Sequence, residues 1–96
     1  MTDLRTIITD LRARLDALPR IDSTRGDLMD QHRAHRAAAQ QLGEYLTETY
    51  GALVRERHDA NTITMQKIRS SSTGGLHGAY RNWIALAERR LAEGRS

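Results

Sequence analysis

The fold assignment depends on residues 66–83, which read QKIRSSSTGGLHGAYRNW. This segment holds three consecutive serines, one threonine and three glycines, and it has no carboxylate. Helix propensity argues against a helix at residues 70–78, because these residue types cost about 4–5 kcal/mol relative to alanine. The spacing argues for one, since Met65 and Leu76 are eleven residues apart, close to three helical turns. We therefore predict a continuous helix over residues 61–92, with an interruption at 70–78 as the alternative.

Two further helices are predicted before this segment. Leucine and isoleucine recur at spacings of three and four from Leu4 to Leu18, and a proline follows directly. This pattern indicates an amphipathic helix over residues 3–18. A second stripe of leucine, alanine and tyrosine predicts a helix over residues 23–57, followed by a turn at HDANT, residues 58–62. No alternating strand pattern is recognised.

These elements predict an all-α fold, a helical hairpin of two long helices plus a shorter N-terminal helix, in one domain of residues 1–96. A chain of 96 residues with no phenylalanine and 4% aromatics buries little apolar surface alone. We therefore expect a symmetric homo-oligomer, associated through the Leu4–Leu18 stripe and the slim faces around Ala38, Gly43 and Gly75. The absence of cysteine and of any apolar run near roughly 20 residues predicts a cytoplasmic protein with no membrane partner.

Charge is distributed unevenly along the chain. Residues 1–59 hold nine arginines and ten acids, whereas residues 60–96 hold six lysines and arginines and two acids. No acid occurs between Ala60 and Ala87. A basic, acid-free region with many hydroxyls favours an anionic partner, although a solvated helix face has the same composition.

Residues 66–83 are the candidate ligand site. Phosphate oxygens only accept hydrogen bonds, so a phosphate site needs hydroxyls, exposed backbone N–H groups and Arg or Lys. We predict that Arg69 and Arg81 clamp phosphate, that the hydroxyls donate to it, and that Tyr80 or Trp83 stacks on a base. The alternative is a packing seam of small residues between helices. The candidate ligand-binding residues are Lys67, Arg69, Ser70, Ser71, Ser72, Thr73, Gly75, Tyr80, Arg81 and Trp83.

Other functions have weaker support in the sequence. Residues 62–70, a turn at 71–75 and a recognition helix over 76–91 would make a DNA-binding helix-turn-helix, and a protein-binding adaptor is a further alternative. His32 and His35 form an HxxH pair without a third strong ligand, so we expect no metal and no cofactor. No spacing is typical of a nucleophile or an acid/base pair, so we expect no catalytic residues and no enzyme activity.

The pattern Arg69-Ser70, Gly75-Leu76 and Arg81, with QLGEYLTETY and the HDANT turn upstream, resembles a family of small phage proteins. These are the anti-CBASS and anti-Thoeris helical-hairpin sponges, which sequester cyclic-nucleotide immune signals. The resemblance covers about residues 42–87, and SSSTGG is poorer in helix formers than the corresponding family helix. It implies a symmetric oligomer whose pockets between protomers bind a cyclic nucleotide without turning it over. Carried over by position, Arg69, Ser70 and Arg81 would contact the ligand.

Overall fold

The computed structural model describes residues 3–18 and 28–94. In these residues three helices and a three-stranded antiparallel sheet follow one another in the order ααβββα. The sheet has the strand order β1-β2-β3, so each strand pairs with the next along the chain. The elements are α1 (Leu4–Asp16), α2 (Leu28–Tyr50), β1 (Leu53–Glu56), β2 (Asn61–Met65), β3 (Ile68–Ser72) and α3 (Leu76–Ala92).

The all-α prediction is wrong, because residues 61–72 form a β-hairpin and not the first half of a long helix. Along β2 the burial alternates, with Asn61, Ile63 and Met65 buried and the threonines between them half-buried. This is the period of two that a strand requires, and the threonines are β-branched residues that favour strands. The eleven-residue spacing arose because Met65 and Leu76 both lie in the core, one on a strand and one on a helix.

Residues with positive φ end α2 and form the turn of the β2–β3 hairpin. Gly51 has a φ of 70°, which glycine adopts without strain, and α2 ends just before it at Tyr50 instead of continuing to residue 57. Gln66 and Lys67 connect β2 to β3 with φ values of 54° and 63°. Two central residues with positive φ define the two-residue turn whose twist matches that of paired strands.

The core lies between the inner face of the sheet, α3 and α1. Trp83, at 0% exposure, donates from its indole N–H to the carbonyl oxygen of Met65 at 3.1 Å, which ties α3 to β2. Tyr80 donates from its hydroxyl to the carbonyl oxygen of Ala39 on α2 at 2.7 Å. Leu4, Leu11 and the other apolar residues of the N-terminal stripe are part of this same core, so within one chain they already have a packing partner.

Part of the second predicted helix precedes the described start of α2. The start of the second predicted helix, residues 23–27, and the proline after the first helix lie outside the described residues. In the part of the chain that is described, no helix is both long enough and apolar enough to cross a lipid bilayer.

A polar cluster joins α1 to α2. The carboxylate of Asp10 accepts hydrogen bonds from the hydroxyls of Tyr45 and Tyr50, both at 2.5 Å, and from Nε of Arg14 at 2.8 Å. The Arg14 guanidinium also lies over the ring of Tyr45, 3.6 Å from its centre. Burial raises the pKa of Asp10, but the hydrogen bonds from both tyrosines and from Arg14 outweigh it, so the pKa is lowered from its ordinary value of 3.8.

We expect Asp10→Asn to lower the free energy of unfolding by about 1–3 kcal/mol, because hydrogen bonds to a charged acceptor are lost and two tyrosine hydroxyls lose a strong partner. The contribution of a carboxylate whose folded pKa is depressed is present above its unfolded pKa and disappears as the pH falls through the folded value. The difference between wild type and variant, measured by urea denaturation, should therefore be full at pH 7 and shrink below about pH 4. A difference that is the same at pH 7 and pH 3 would contradict this account.

Candidate functional site

The alternation of β3 divides the predicted ligand residues between two faces of the sheet. Ile68 and Ser70 are buried on the inner face, where the Ser70 hydroxyl donates to the carbonyl oxygen of Ala79 at 2.7 Å. Arg69 and Ser71 are exposed on the opposite face. Ser70 therefore holds α3 to the sheet, while Arg69 and Ser71 remain available to a partner on the opposite face.

The exposed side of the sheet collects basic and hydroxyl side chains from all three strands. Pairing places Thr64 between Leu53 and Arg69, and it places Thr62 between Arg55 and Ser71. Lys67 lies at the turn of the β2–β3 hairpin and is exposed. We call this surface the outer sheet face; it consists of Leu53, Arg55, Thr62, Thr64, Arg69 and Ser71 on the strands, with Lys67 at its hairpin end.

The outer sheet face carries three formal positive charges and no carboxylate among its seven residues. Glu56 belongs to the inner face, where Gln40 and Arg36 donate to its carboxylate at 2.6 and 3.2 Å. Asp59 lies in the β1–β2 connection outside the strands. Leu53 adds an apolar spot that is 60% exposed. An open, positively charged and donor-rich face can contact several phosphates that are spread along a polymer.

Two predicted contacts are corrected by their positions. Tyr80 and Trp83 are fully buried and their polar atoms donate to backbone carbonyls, so neither ring has a free face on which a base could stack. Arg81 lies on α3, which packs against the inner face, whereas Arg69 points away from that side. The predicted clamp of Arg69 and Arg81 on one phosphate, shared with the sponge family resemblance, is therefore not assembled within this chain.

A cleft of about 370 Å³ lies where the ends of β2 and β3 meet α2 and the start of α3. The loop that follows β3 forms one wall, and it contains the predicted ligand residues Thr73 and Gly75. The Ser72 hydroxyl accepts from the Gly74 N–H at 3.0 Å, and Gly75 has a φ of 101° that suits glycine. The cleft is lined by His32, His35, Arg36, Ala39, Glu56, Arg57, Asn61, Thr73, Gly74, Gly75, Leu76 and His77.

A larger cavity, of about 590 Å³, shares two histidines with this cleft. The rings of His35 and His77 meet edge to face with their centres 5.1 Å apart, and both residues line both cavities. Burial, with help from His35 and Arg81, lowers the pKa of His77 from its ordinary value of 6.5. Arg81 and the ion pair of Arg12 with Glu88, at 2.6 Å, also line the larger cavity.

His32 and His35, the HxxH pair, take different positions at the cleft. Within residues 3–18 and 28–94 no three histidine, cysteine or carboxylate side chains are grouped closely enough to hold a metal ion. His35 contacts His77, while His32 lines the cleft beside residues 73–75, the loop after β3 that we call the glycine loop.

Comparison of the chain with protein-family models, with curated proteins and with solved structures gives no match. The functional assignment therefore depends on the geometry of the two surfaces described above.

Four of the seven residues of the outer sheet face were not predicted from the sequence. Leu53, Arg55, Thr62 and Thr64 all precede residues 66–83, the segment in which the candidates were sought. The signal that could have found them is the alternation of polar and apolar residues in NTITM, residues 61–65, which places every second side chain on one face.

Ser72, at the end of β3, lies in close contact with Gly78 on α3, and substitutions can test this contact. A Cβ at Gly78 would lie 2.4 Å from the Ser72 hydroxyl oxygen, so that hydroxyl must leave its hydrogen bond with Gly74. We expect Gly78→Ala to lower stability by about 1–2 kcal/mol, although alanine normally favours a helix.

Urea denaturation of Gly78→Ala, Ser72→Ala and the double variant measures the coupling between the two positions. Since Ser72→Ala removes the oxygen that would clash, the double variant should lose less than the sum of the single losses. Additive losses would show that Ser72 and Gly78 do not contact each other as described.

Proposed function

We propose that this protein is a non-enzymatic nucleic-acid-binding protein that contacts the phosphate backbone of duplex DNA through the outer sheet face. The observation that carries the proposal is the grouping of Arg55, Lys67 and Arg69 with three hydroxyl side chains on one exposed face without a carboxylate. Charge complementarity to phosphate is the main source of affinity in such complexes.

The spacing of the cations favours a polymer over a small nucleotide. Arg55 lies on β1 and Arg69 on β3, so two strand spacings, about 10 Å, separate them across the sheet. Guanidinium groups that extend from these two positions can contact successive phosphates of a duplex. The predicted sequestration of a cyclic nucleotide by Arg69 and Arg81 depends on a convergence that this arrangement does not supply.

The shape of the surface is compatible with a groove. The major groove of DNA is about 12 Å wide and admits paired β-strands, and other proteins read DNA with sheets in this way. The threonine and serine hydroxyls supply further donors to phosphate oxygens, and Leu53 offers an apolar contact to a thymine methyl group.

Fluorescence anisotropy with a labelled duplex over a range of salt concentrations tests the proposal. We expect Arg55→Ala and Arg69→Ala each to weaken binding and to reduce the slope of log affinity against log salt by about one. Arg90→Ala, in the last turn of α3, is the matched control because it removes the same charge from an exposed helix position away from the sheet.

A flat titration with duplex DNA, or equal losses in Arg69→Ala and Arg90→Ala, would overturn the proposal. Equal losses would indicate attraction by net charge alone, whereas a flat titration would leave a protein partner for the outer sheet face. Single-stranded DNA of the same length shows whether the duplex geometry matters.

Lys67 allows stability and binding to be separated. Its φ of 63° is strained for a residue with a Cβ, so we expect Lys67→Gly to raise stability by about 1 kcal/mol or less. The same change removes a cation from the outer sheet face, so duplex affinity should fall. Thermal denaturation and anisotropy on one preparation check both effects, and a variant that is more stable and binds equally well would place Lys67 outside the interface.

A further inference from the structure

We propose that the cleft beside the glycine loop is a second binding site, for a small phosphomonoester that also carries a hydrogen-bond donor. The site lies on the inner side of the sheet, between α2, the ends of β2 and β3, and the start of α3. It is separate from the outer sheet face and does not depend on DNA binding.

The start of α3 supplies the phosphate-binding part. The N-cap residue is Gly75, which has no side chain that could accept hydrogen bonds from the first N–H groups of the helix. The first N–H groups of an α-helix have no acceptor within the helix, and the helix dipole favours negative charge at this end. Gly74 and Gly75 have no side chain that would keep a ligand away from the backbone, and both line the cleft.

Asn61 is the independent observation that points to a ligand. The residue is only 7% exposed and lines the same cleft. Its amide nitrogen donates to the carbonyl oxygen of Ser72 at 3.4 Å, a long hydrogen bond. Its Oδ1 is buried and is the only side-chain nitrogen or oxygen atom of this kind that lacks a hydrogen-bond partner within the described residues.

An unpaired buried acceptor defines what the ligand must offer. A carbonyl oxygen can only accept a hydrogen bond, and leaving it unpaired in a buried position is unfavourable. Phosphate oxygens without a proton cannot donate to it, so the partner of Asn61 is a hydroxyl or N–H group. A ligand that satisfies both walls of the cleft therefore combines phosphate with a hydroxyl or an amine, as phosphorylated sugars and nucleoside monophosphates do.

The charges of the cleft suit such a ligand. Arg36 and Arg57 line it together with three imidazole rings, and Glu56 is its single carboxylate. Glu56 already accepts hydrogen bonds from Arg36 and Gln40, which lower its pKa and hold it against α2. A cleft of about 370 Å³ has room for a sugar phosphate.

Isothermal titration calorimetry of the full chain with three probes tests the assignment. Ribose 5-phosphate carries both required groups, ribose carries only the hydroxyls, and sulfate only accepts hydrogen bonds. We expect ribose 5-phosphate to bind at least about tenfold more tightly than either of the others, since only it satisfies both walls.

Asn61→Leu removes the unpaired acceptor without reducing the size of the side chain. We expect the variant to be as stable as wild type or more stable, and its affinity for ribose 5-phosphate to fall to that for sulfate. Asn82→Leu is the matched control, because Asn82 lies on the exposed side of α3 and donates to the Ser71 carbonyl oxygen, outside the cleft. Arg57→Ala, at an exposed position, should weaken both phosphate and sulfate binding without disturbing the core.

Three results would overturn the site. They are no heat of binding with ribose 5-phosphate, equal affinity for ribose 5-phosphate and sulfate, and an unchanged preference in Asn61→Leu. Arg69→Ala should leave ribose 5-phosphate affinity as in wild type while it weakens duplex binding. Failure of one proposal is therefore distinguishable from failure of the other.

Discussion

The fold depends on the docking of α3 against the inner face of the sheet. This interface buries polar groups as well as apolar ones: Trp83 donates to the carbonyl oxygen of Met65 across it, and Ser70 donates to that of Ala79. A third hydrogen bond, from Tyr80 to the carbonyl oxygen of Ala39, joins α3 to α2. Because an unpaired buried donor is costly, these three hydrogen bonds select one orientation of α3. That orientation fixes which side chains of β3 are buried and which remain exposed, and so determines both candidate surfaces.

The periodicity of the sequence was sufficient to predict helices at α1 and α3, whereas the three strands were not recognised. The N-terminal stripe lies in α1, and the later apolar residues do lie on one face of α3, but local periodicity cannot show whether Met65 reaches the core from a helix or a strand. The serine and glycine penalty over residues 70–78 was the correct signal, because the chain leaves β3 and enters α3 there. The pairing of β2 with β1 and β3 makes residues 61–65 a strand, and its only signal in the local sequence is the alternation of polar and apolar residues in NTITM.

The candidate surfaces were predictable to different degrees. An acid-free, basic and hydroxyl-rich region was visible in the sequence, and the outer sheet face is made largely from it. The division of its residues between two faces was not visible, because it requires the assignment of strands. Asn61 was not among the candidate ligand residues, since the burial and missing partner of its Oδ1 exist only in the folded chain.

The two-residue turn at Gln66 and Lys67 limits how the length of this chain can vary. Side chains alternate along a strand, so one inserted residue here would shift the pairing by one and exchange the buried set of β3 for its exposed set. Arg69 would then enter the core in place of Ser70. Natural insertions and deletions should be confined to connections such as residues 57–60, where extra length changes neither partner strand.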